Sequence, residues 1–357
     1  MQSSKILLFG GTFDPFHNGH YEILKQAQKL INPTKTIVLV NNVSPLKMQN
    51  RPVSSDHRLI MTKIALANES DLEVSDFELK SNEPSYSINT IKHFVKLYPN
   101  TEFYWLMGAD QYKNLHLWHQ YEDILKLVKI VVANRDNNEA LNANINCDPI
   151  IIFGLKFPIS SSQIRKQPLP YLLDEKVLNY INDYGLYAID RIKPLMSEHR
   201  FQHSLRVAYM ASDLMSHYNK ELIHLAYTCG IYHDIAKEMD YSKQEEIAKN
   251  ILGINQYEHV KVLHGYIGAY ELRQKYWFNN QNILNAIARH TKPFDFFHDE
   301  PTLLDKVLYL ADKLEANRTD NDVFGKDINY YRKLAYKDIN LCFIELYNWL
   351  QFNLSKK

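Results

Sequence analysis

Two sets of residues in this 357-residue chain have the types and spacing for chemistry on phosphates. The first is compact: Gly10-Gly11-Thr12-Phe13-Asp14-Pro15-Phe16-His17-Asn18-Gly19-His20. Adjacent glycines let a backbone approach a ligand closely, and the free N–H groups at a helix start favour anions. Histidines at that start can donate hydrogen bonds to phosphoryl oxygens as charge builds in a transition state. The ligand expected there is the phosphate of a nucleotide. The second set is dispersed: His203, the pair His233-Asp234, His264, His290 and Asp312. Each step between them is about one helical hairpin, so antiparallel helices can project one ligand apiece into a shared centre. His233 and Asp234 are adjacent and cannot both face one point from an ideal helix; a local irregularity, or a carboxylate bridging two ions, resolves this. Four imidazoles with two carboxylates suit iron, manganese, cobalt or zinc better than magnesium alone, and six groups can serve two metals.

The glycine turn needs a strand to launch it and a helix to receive it. Residues 5–9 (KILLF) read as the strand, and residues 20–31 place Ile23, Leu24, Ala27, Leu30 and Ile31 on one helical face. Residues 35–41 form a short apolar run, as in a strand covered on both sides, so right-handed parallel pairing follows. Helices are expected over 57–67 and 88–97, and strands over 72–77, 101–106, 129–134 and 149–154. Open parallel sheets bind ligands at the carboxyl ends of their strands. There lie Lys47, a candidate phosphate contact, and Gly108-Ala109-Asp110, which can bring a carboxylate to a ribose hydroxyl. Trp118 follows and offers a flat face to a base. In Ile159-Ser160-Ser161-Ser162-Gln163-Ile164-Arg165, hydroxyls cap a helix and offer donors to an anion, with a guanidinium one turn on. Beside the glycine turn, this reads as the other half of a polyphosphate clamp.

Periodicity lapses over residues 187–194 (YAIDRIKP), which places a boundary there and gives domains 1–192 and 193–357. The first is α/β. The second is all-α, with helices over 198–215, 221–232 and 305–314 and a tail beyond about 321 that supplies a packing helix or two. Lysine plus arginine and aspartate plus glutamate both number 41, and zero formal charge removes the electrostatic argument for a nucleic-acid or membrane partner. Cys147, Cys229 and Cys342 are widely spaced, which excludes a disulfide framework and a thiolate zinc site. No signal segment and no run of about 18 apolar residues occurs. A cytoplasmic protein is expected.

The motifs GGTFDPFHNGH, SPLK, PSYSINT, MGADQY, LWH and ISSSQIR, in this order over about residues 1–190, resemble bacterial nicotinate mononucleotide adenylyltransferase. The H-x-G-H element alone marks only the wider nucleotidyltransferase superfamily. The resemblance implies a Rossmann-like domain that transfers adenylyl from ATP to nicotinate mononucleotide in NAD biosynthesis, releasing pyrophosphate. It implies His17 and His20 on the ATP phosphates, and Gly10, Gly11, Thr12 and Phe13 around the nucleotide. Arg165, Ser161 and Ser162 would hold the triphosphate, Asp110 with Gly108 a ribose, and Tyr86, Ser87 and Trp118 the nicotinate nucleotide. Magnesium is expected with ATP, held largely by phosphate oxygens and water. The acceptor phosphate attacks in line, so no protein nucleophile is needed. Phe16 departs from the family pattern, with little consequence expected. Another acceptor, such as phosphopantetheine, stays open.

FQHSLRVAYMA, YHDIAKE, LHGYIGA, IARHT and DKVLYLADKLEANR, spanning about residues 195–320, resemble the HD-domain metal-dependent phosphohydrolases. More narrowly they are similar to the YqeK-type subfamily, associated with symmetrical cleavage of diadenosine tetraphosphate to two ADP. The resemblance implies His203, His233, Asp234, His264, His290 and Asp312 as ligands of one or two transition metals, iron first. Catalysis would centre on His233 and Asp234, with Lys237 and Arg318 as phosphate contacts. Such metals deliver hydroxide and neutralise the polyphosphate. Lys292-Pro293 stands where the subfamily has threonine and glycine, which bears on the pocket wall and the substrate. A nucleotide sensor that regulates its neighbour is the other reading of this half.

Overall fold

Short apolar runs alternating with amphipathic stretches build the first half of the chain into a parallel sheet covered by helices. The computed structural model describes residues 4–42, 52–80, 86–134, 145–154, 159–294 and 300–356. The strands are β1 (Ser4–Gly11), β2 (Lys35–Val40), β3 (Leu72–Ser75), β4 (Thr101–Gly108), β5 (Lys129–Ala133) and β6 (Ile150–Ile152). They lie in the order β3-β2-β1-β4-β5-β6, every pairing parallel. One face buries Ile6, Leu8 and Trp105 against Ile91 and Phe94; the other buries Leu7, Phe9 and Leu106 against Ile23, Leu24 and Ala27. The chain moves outward from β1 through β2 to β3, then returns to place β4 on the other side of β1. This reversal, with Phe9 opposite Leu106, puts Gly10-Gly11 and Gly108 at one crevice. The strand expected over 72–77 stops at Ser75, because β3 pairs only with Thr36–Leu39 and Phe77–Lys80 coils into a 3-10 turn.

The second half is helical. Helices Glu198–Tyr218, Ile223–Tyr232, Gln281–Arg289 and Leu303–Leu314 share a core that includes Val207, Ala211, Ile231, Ile287 and Leu310. The tail forms the two packing helices Ile328–Lys337 and Ile339–Leu354, which bury Leu334, Phe343 and Leu346 in the same core. The chain divides into two compact units, Met1–Val177 and Leu178–Lys357, ahead of the boundary expected at 192/193. Side-chain packing explains the shift: Ala188 and Ile192 belong to the helical core. Asn182 Nδ2 donates to the carbonyls of Tyr276 and Trp277, and Thr228 Oγ1 donates to that of Asp183. All three cysteines are free, and among the described residues no helix is long and apolar enough to cross a membrane.

Two glycines let the ligand-bearing helices close on one another. A Cβ on Gly230 would lie 2.5 Å from the Ala208 Cα, and one on Gly265 would lie 2.7 Å from the Ala288 carbonyl oxygen. The neighbour in each case is backbone, which cannot rotate away. Gly230→Ala should therefore cost about 1–3 kcal/mol by overpacking, read as a lowered urea midpoint for the full chain.

Candidate active sites

The end of β1 leads through Thr12 and the cis Asp14-Pro15 bond into helix Asn18–Ile31, whose N-cap is His17. The cap is reciprocal. His17 Nδ1 accepts from the His20 N–H at 3.4 Å, and His20 Nδ1 accepts from the His17 N–H at 3.3 Å. The two rings stack with centroids 3.7 Å apart. With Nδ1 accepting, each neutral imidazole carries its proton on Nε2 and is a donor there. Phe13 and Phe16 are both buried, with ring centroids 5.2 and 5.3 Å from that of His20, so both serve as packing beneath the histidines. Phe16 thus fills a core position.

Two other segments reach this turn. Arg165 Nη1 lies 3.0 Å from the Asp14 carbonyl and 3.5 Å from its carboxylate, and Ser161 Oγ donates to the Pro15 carbonyl at 3.2 Å. Ser160 caps helix Ser161–Lys166, and Ser162 Oγ sits 2.9 Å from Ser160 Oγ. Across the crevice, Trp105 covers Gly10, and half-buried Trp118 stands perpendicular to it at 6.5 Å. Asp110 is exposed, one residue into helix Ala109–Lys113, its carboxylate 2.6 Å from where a Cβ on Gly108 would be. Exposed Tyr86 caps helix Ser87–Leu97, which Ser87 opens, and its ring is 4.9 Å from that of His119. Lys47 lies outside the described residues.

Arg58 has no counterpart in the motif reading. It is 1 % exposed and donates to the carbonyls of Thr12 and Asn41 at 2.7 Å, Asn42 at 2.8 Å and Val53 at 3.1 Å. One guanidinium thus pins the turns after β1 and β2. The available signal was a charged residue on the buried face of a helix, with Met61 and Thr62 three and four residues on.

In the helical unit all six candidate ligands are buried and converge. His203 comes from helix Glu198–Tyr218 and Asp312 from Leu303–Leu314. His233 caps the C-terminus of Ile223–Tyr232, His264 begins His264–Tyr276, and His290 caps the C-terminus of Gln281–Arg289. The helix ends before Asp234, and this local break lets both neighbours face the centre. Asp234 divides its carboxylate: Oδ1 lies 3.0 Å from His264 Nε2 and 3.6 Å from His290 Nε2, while Oδ2 lies 3.4 Å from His233 Nε2 and 3.9 Å from His203 Nε2. Asp312 Oδ1 adds to the second group, 3.1 Å from His203 Nε2 and 3.8 Å from His233 Nε2.

The opposite ring nitrogens are all occupied. Nδ1 of His233, His264 and His290 lies 2.8, 2.7 and 2.6 Å from the carbonyl three residues earlier, and His203 Nδ1 lies 3.2 Å from Glu315. A carbonyl can only accept, so Nδ1 carries the proton and Nε2 keeps its lone pair. Nε2 of His264 and His290 are then two lone pairs 2.9 Å apart, and the buried Nε2 of His233 has no hydrogen-bond partner. Lone pairs and carboxylates aimed at one another call for cations between them, and the donor set fits divalent metal. Burial pushes His290 down to about 3 and lowers His264, which keeps both as neutral ligands.

Cations surround the cluster. Arg200 Nη1 is 2.6 Å from Asp234, Lys313 Nζ 2.5 Å and Arg318 Nη2 3.2 Å from Asp312, and Lys237 Nζ 3.1 Å from His264 Nε2. Lys237 and Arg318 were expected; Arg200 and Lys313 were not. Arg200 precedes His203 by one helical turn, a spacing visible in the sequence. Glu315 was missed as well. Burial pushes its carboxyl up, but hydrogen bonds from His203 and Arg206 outweigh that and hold it down at about 2.

The cytidylyltransferase-like family matches residues 8–167 and the HD domain matches residues 200–317. A Mycoplasma genitalium protein named probable nicotinate-nucleotide adenylyltransferase/Ap4A hydrolase is 35% identical over 355 residues, 99% of each chain. The chain belongs to this nicotinate-nucleotide adenylyltransferase/Ap4A hydrolase family. A Mycoplasma pneumoniae family member of the same name is 35% identical over 94% of this chain and 96% of its own. A Methylacidiphilum infernorum protein named probable nicotinate-nucleotide adenylyltransferase is 34% identical over 53% of this chain and 95% of its own, so this relative matches about half of what the two-part family members match. The family and its two-part architecture are as the motifs implied.

Glu315→Gln should keep the fold but weaken metal binding about 10–100-fold, measured by competition with a chromogenic chelator. The pH dependence of the chelated protein follows from His290. Its folded pKa of about 3 lies below the unfolded value of about 6.5, so below pH 6.5 the unfolded chain takes up a proton that the folded chain refuses. Stability should be full above pH 6.5 and fall as pH drops toward 3, as seen in urea midpoints.

Proposed function

We propose that this chain is a bifunctional enzyme that transfers adenylyl from ATP to nicotinate mononucleotide and hydrolyses diadenosine tetraphosphate to two ADP. The observation that carries the proposal is the presence of two intact sites in one chain: a reciprocally capped histidine pair at the sheet's reversal, and a six-ligand cluster in the helical unit. Full-length relatives named for both activities support it.

In the transfer reaction the acceptor phosphate displaces pyrophosphate at the ATP α-phosphorus, so the protein supplies position and charge stabilisation. His17 and His20 donate from Nε2 to the phosphate oxygens on which charge develops. Gly10, Gly11 and Thr12 admit the nucleotide backbone-close. Ser161, Ser162 and Arg165 hold the triphosphate, Gly108 and Asp110 the ribose, and Trp118 with Tyr86 and Ser87 the pyridine nucleotide. Magnesium accompanies the ATP. In the hydrolytic reaction His203, His233, Asp234, His264, His290 and Asp312 hold one or two transition metals, with iron the first choice over manganese, cobalt and zinc. Bound there, metal supplies an activated hydroxide and neutralises phosphate charge. Arg200, Lys237, Lys313 and Arg318 bind the polyphosphate and steady the departing ADP oxygens.

His20→Ala should cost about 10²–10³-fold in transfer and leave hydrolysis unchanged, while Asp234→Ala should abolish hydrolysis and spare transfer. Pyrophosphate release with a panel of acceptors and ADP release from diadenosine tetraphosphate give the two readouts. A preference for phosphopantetheine over nicotinate mononucleotide would sink the first assignment. Metal-loaded protein that cleaves no dinucleoside polyphosphate would sink the second and favour a sensor.

A further inference from the structure

The helices that carry His264 and His290 have a second face that no activity discussed so far uses. Tyr266, Ala269, Tyr270 and Arg273 recur along one helix, and Gln281, Leu284, Asn285 and Ala288 along the next, each at the spacing of a single helical stripe. The two stripes line a cavity of about 630 Å3, to which residues 252–256 also contribute. None of the six clustered ligands lines it. Helical geometry accounts for the separation, because Tyr266 stands two residues and so about 200° around the helix from His264.

The chemistry of the walls is uneven in a useful way. Tyr266, Leu284 and Ala288 are buried and make an apolar floor, with half-buried Ala269 and Tyr270 beside them. The rim carries four carboxamides, Asn255, Gln256, Gln281 and Asn285, and Arg273 is the one ionic group among the lining residues. Arg273 Nη2 donates to Gln281 Oε1 at 2.8 Å, and Gln281 Nε2 donates to Asn285 Oδ1 at 2.6 Å, so the rim is a linked set of polar groups. The volume is that of a small-molecule site. A flat ring suits the floor and its tyrosines. Carboxamides pair a donor with an acceptor in the arrangement that reads adenine, and a guanidinium with no ion pair among the described residues suits a phosphate.

The geometry points to a binding site for a purine nucleoside monophosphate on the reverse face of this helix pair, separate from the metal cluster. The test irradiates the full chain with 2-azidoadenosine 5′-monophosphate and maps the labelled peptides by mass spectrometry. Label is expected on the segment holding Tyr266 and Tyr270, displaced by excess adenosine monophosphate and reduced about tenfold in Arg273→Glu and in Asn285→Leu. Both substitutions fall on the rim, and unchanged thermal unfolding shows that the fold persists in them. Label confined to other segments, or undiminished in either variant, overturns the assignment.

Discussion

Both sites depend on which group meets Nδ1 of each histidine and so places its ring proton. At His17 and His20 a backbone N–H meets Nδ1, which forces the ring proton onto Nε2 and makes that nitrogen a donor. At His233, His264 and His290 a carbonyl meets Nδ1, which takes the proton there and leaves Nε2 a lone pair. One residue type thereby serves phosphate in one unit and metal in the other. The difference follows from which backbone group each ring turns to: His17 and His20 take spare N–H groups of a helix N-terminus, whereas His233, His264 and His290 each turn back to the carbonyl three residues earlier.

The metal cluster concentrates buried polar groups that would be costly without compensation. Close helix contact at Gly230 and Gly265 brings the ligands together, and the layer beyond them balances their charge. Glu315 accepts a hydrogen bond from His203 Nδ1 and is itself held by Arg206 Nε at 2.6 Å. Burial pushes Asp312 upward, but the Lys313 ammonium beside it outweighs this and holds its carboxyl well below the usual carboxylate range, while Asp234 has the Arg200 guanidinium at 2.6 Å. The division of Asp234 between two pairs of imidazoles is what adjacency of His233 and Asp234 required, since a continuous helix would have turned one of them away.

The sequence was most readable where chemistry is written in short motifs and least where it depends on contacts between distant segments. His17, His20 and the six ligands have distinctive neighbours, and period-2 and period-3.6 patterns located the strands and the principal helices. Arg58 escaped because its value lies in four carbonyls on separate turns. Glu315 and Lys313 escaped because a charged residue near the end of helix Leu303–Leu314 looks like solvated surface until His203 and Asp312 arrive beside it. Phe13 was legible as part of the glycine motif but not as packing beneath His20. The boundary was misplaced because lapsed periodicity over 187–194 looks like a linker, whereas Ala188 and Ile192 are core residues of the second unit.

That last feature bears on how the protein can be taken apart. The division at Val177 and Leu178 falls inside helix Glu175–Asp183, at the point where a linker is usually sought. Proteases cut exposed, unstructured backbone, and this junction offers none. A fragment starting at residue 193 would leave behind Asn182, Ala188 and Ile192, exposing the carbonyls of Tyr276 and Trp277 and opening the helical core. An independently folding second half would have to begin before the helix, carrying with it residues that the chain reads before its first histidine of the metal cluster.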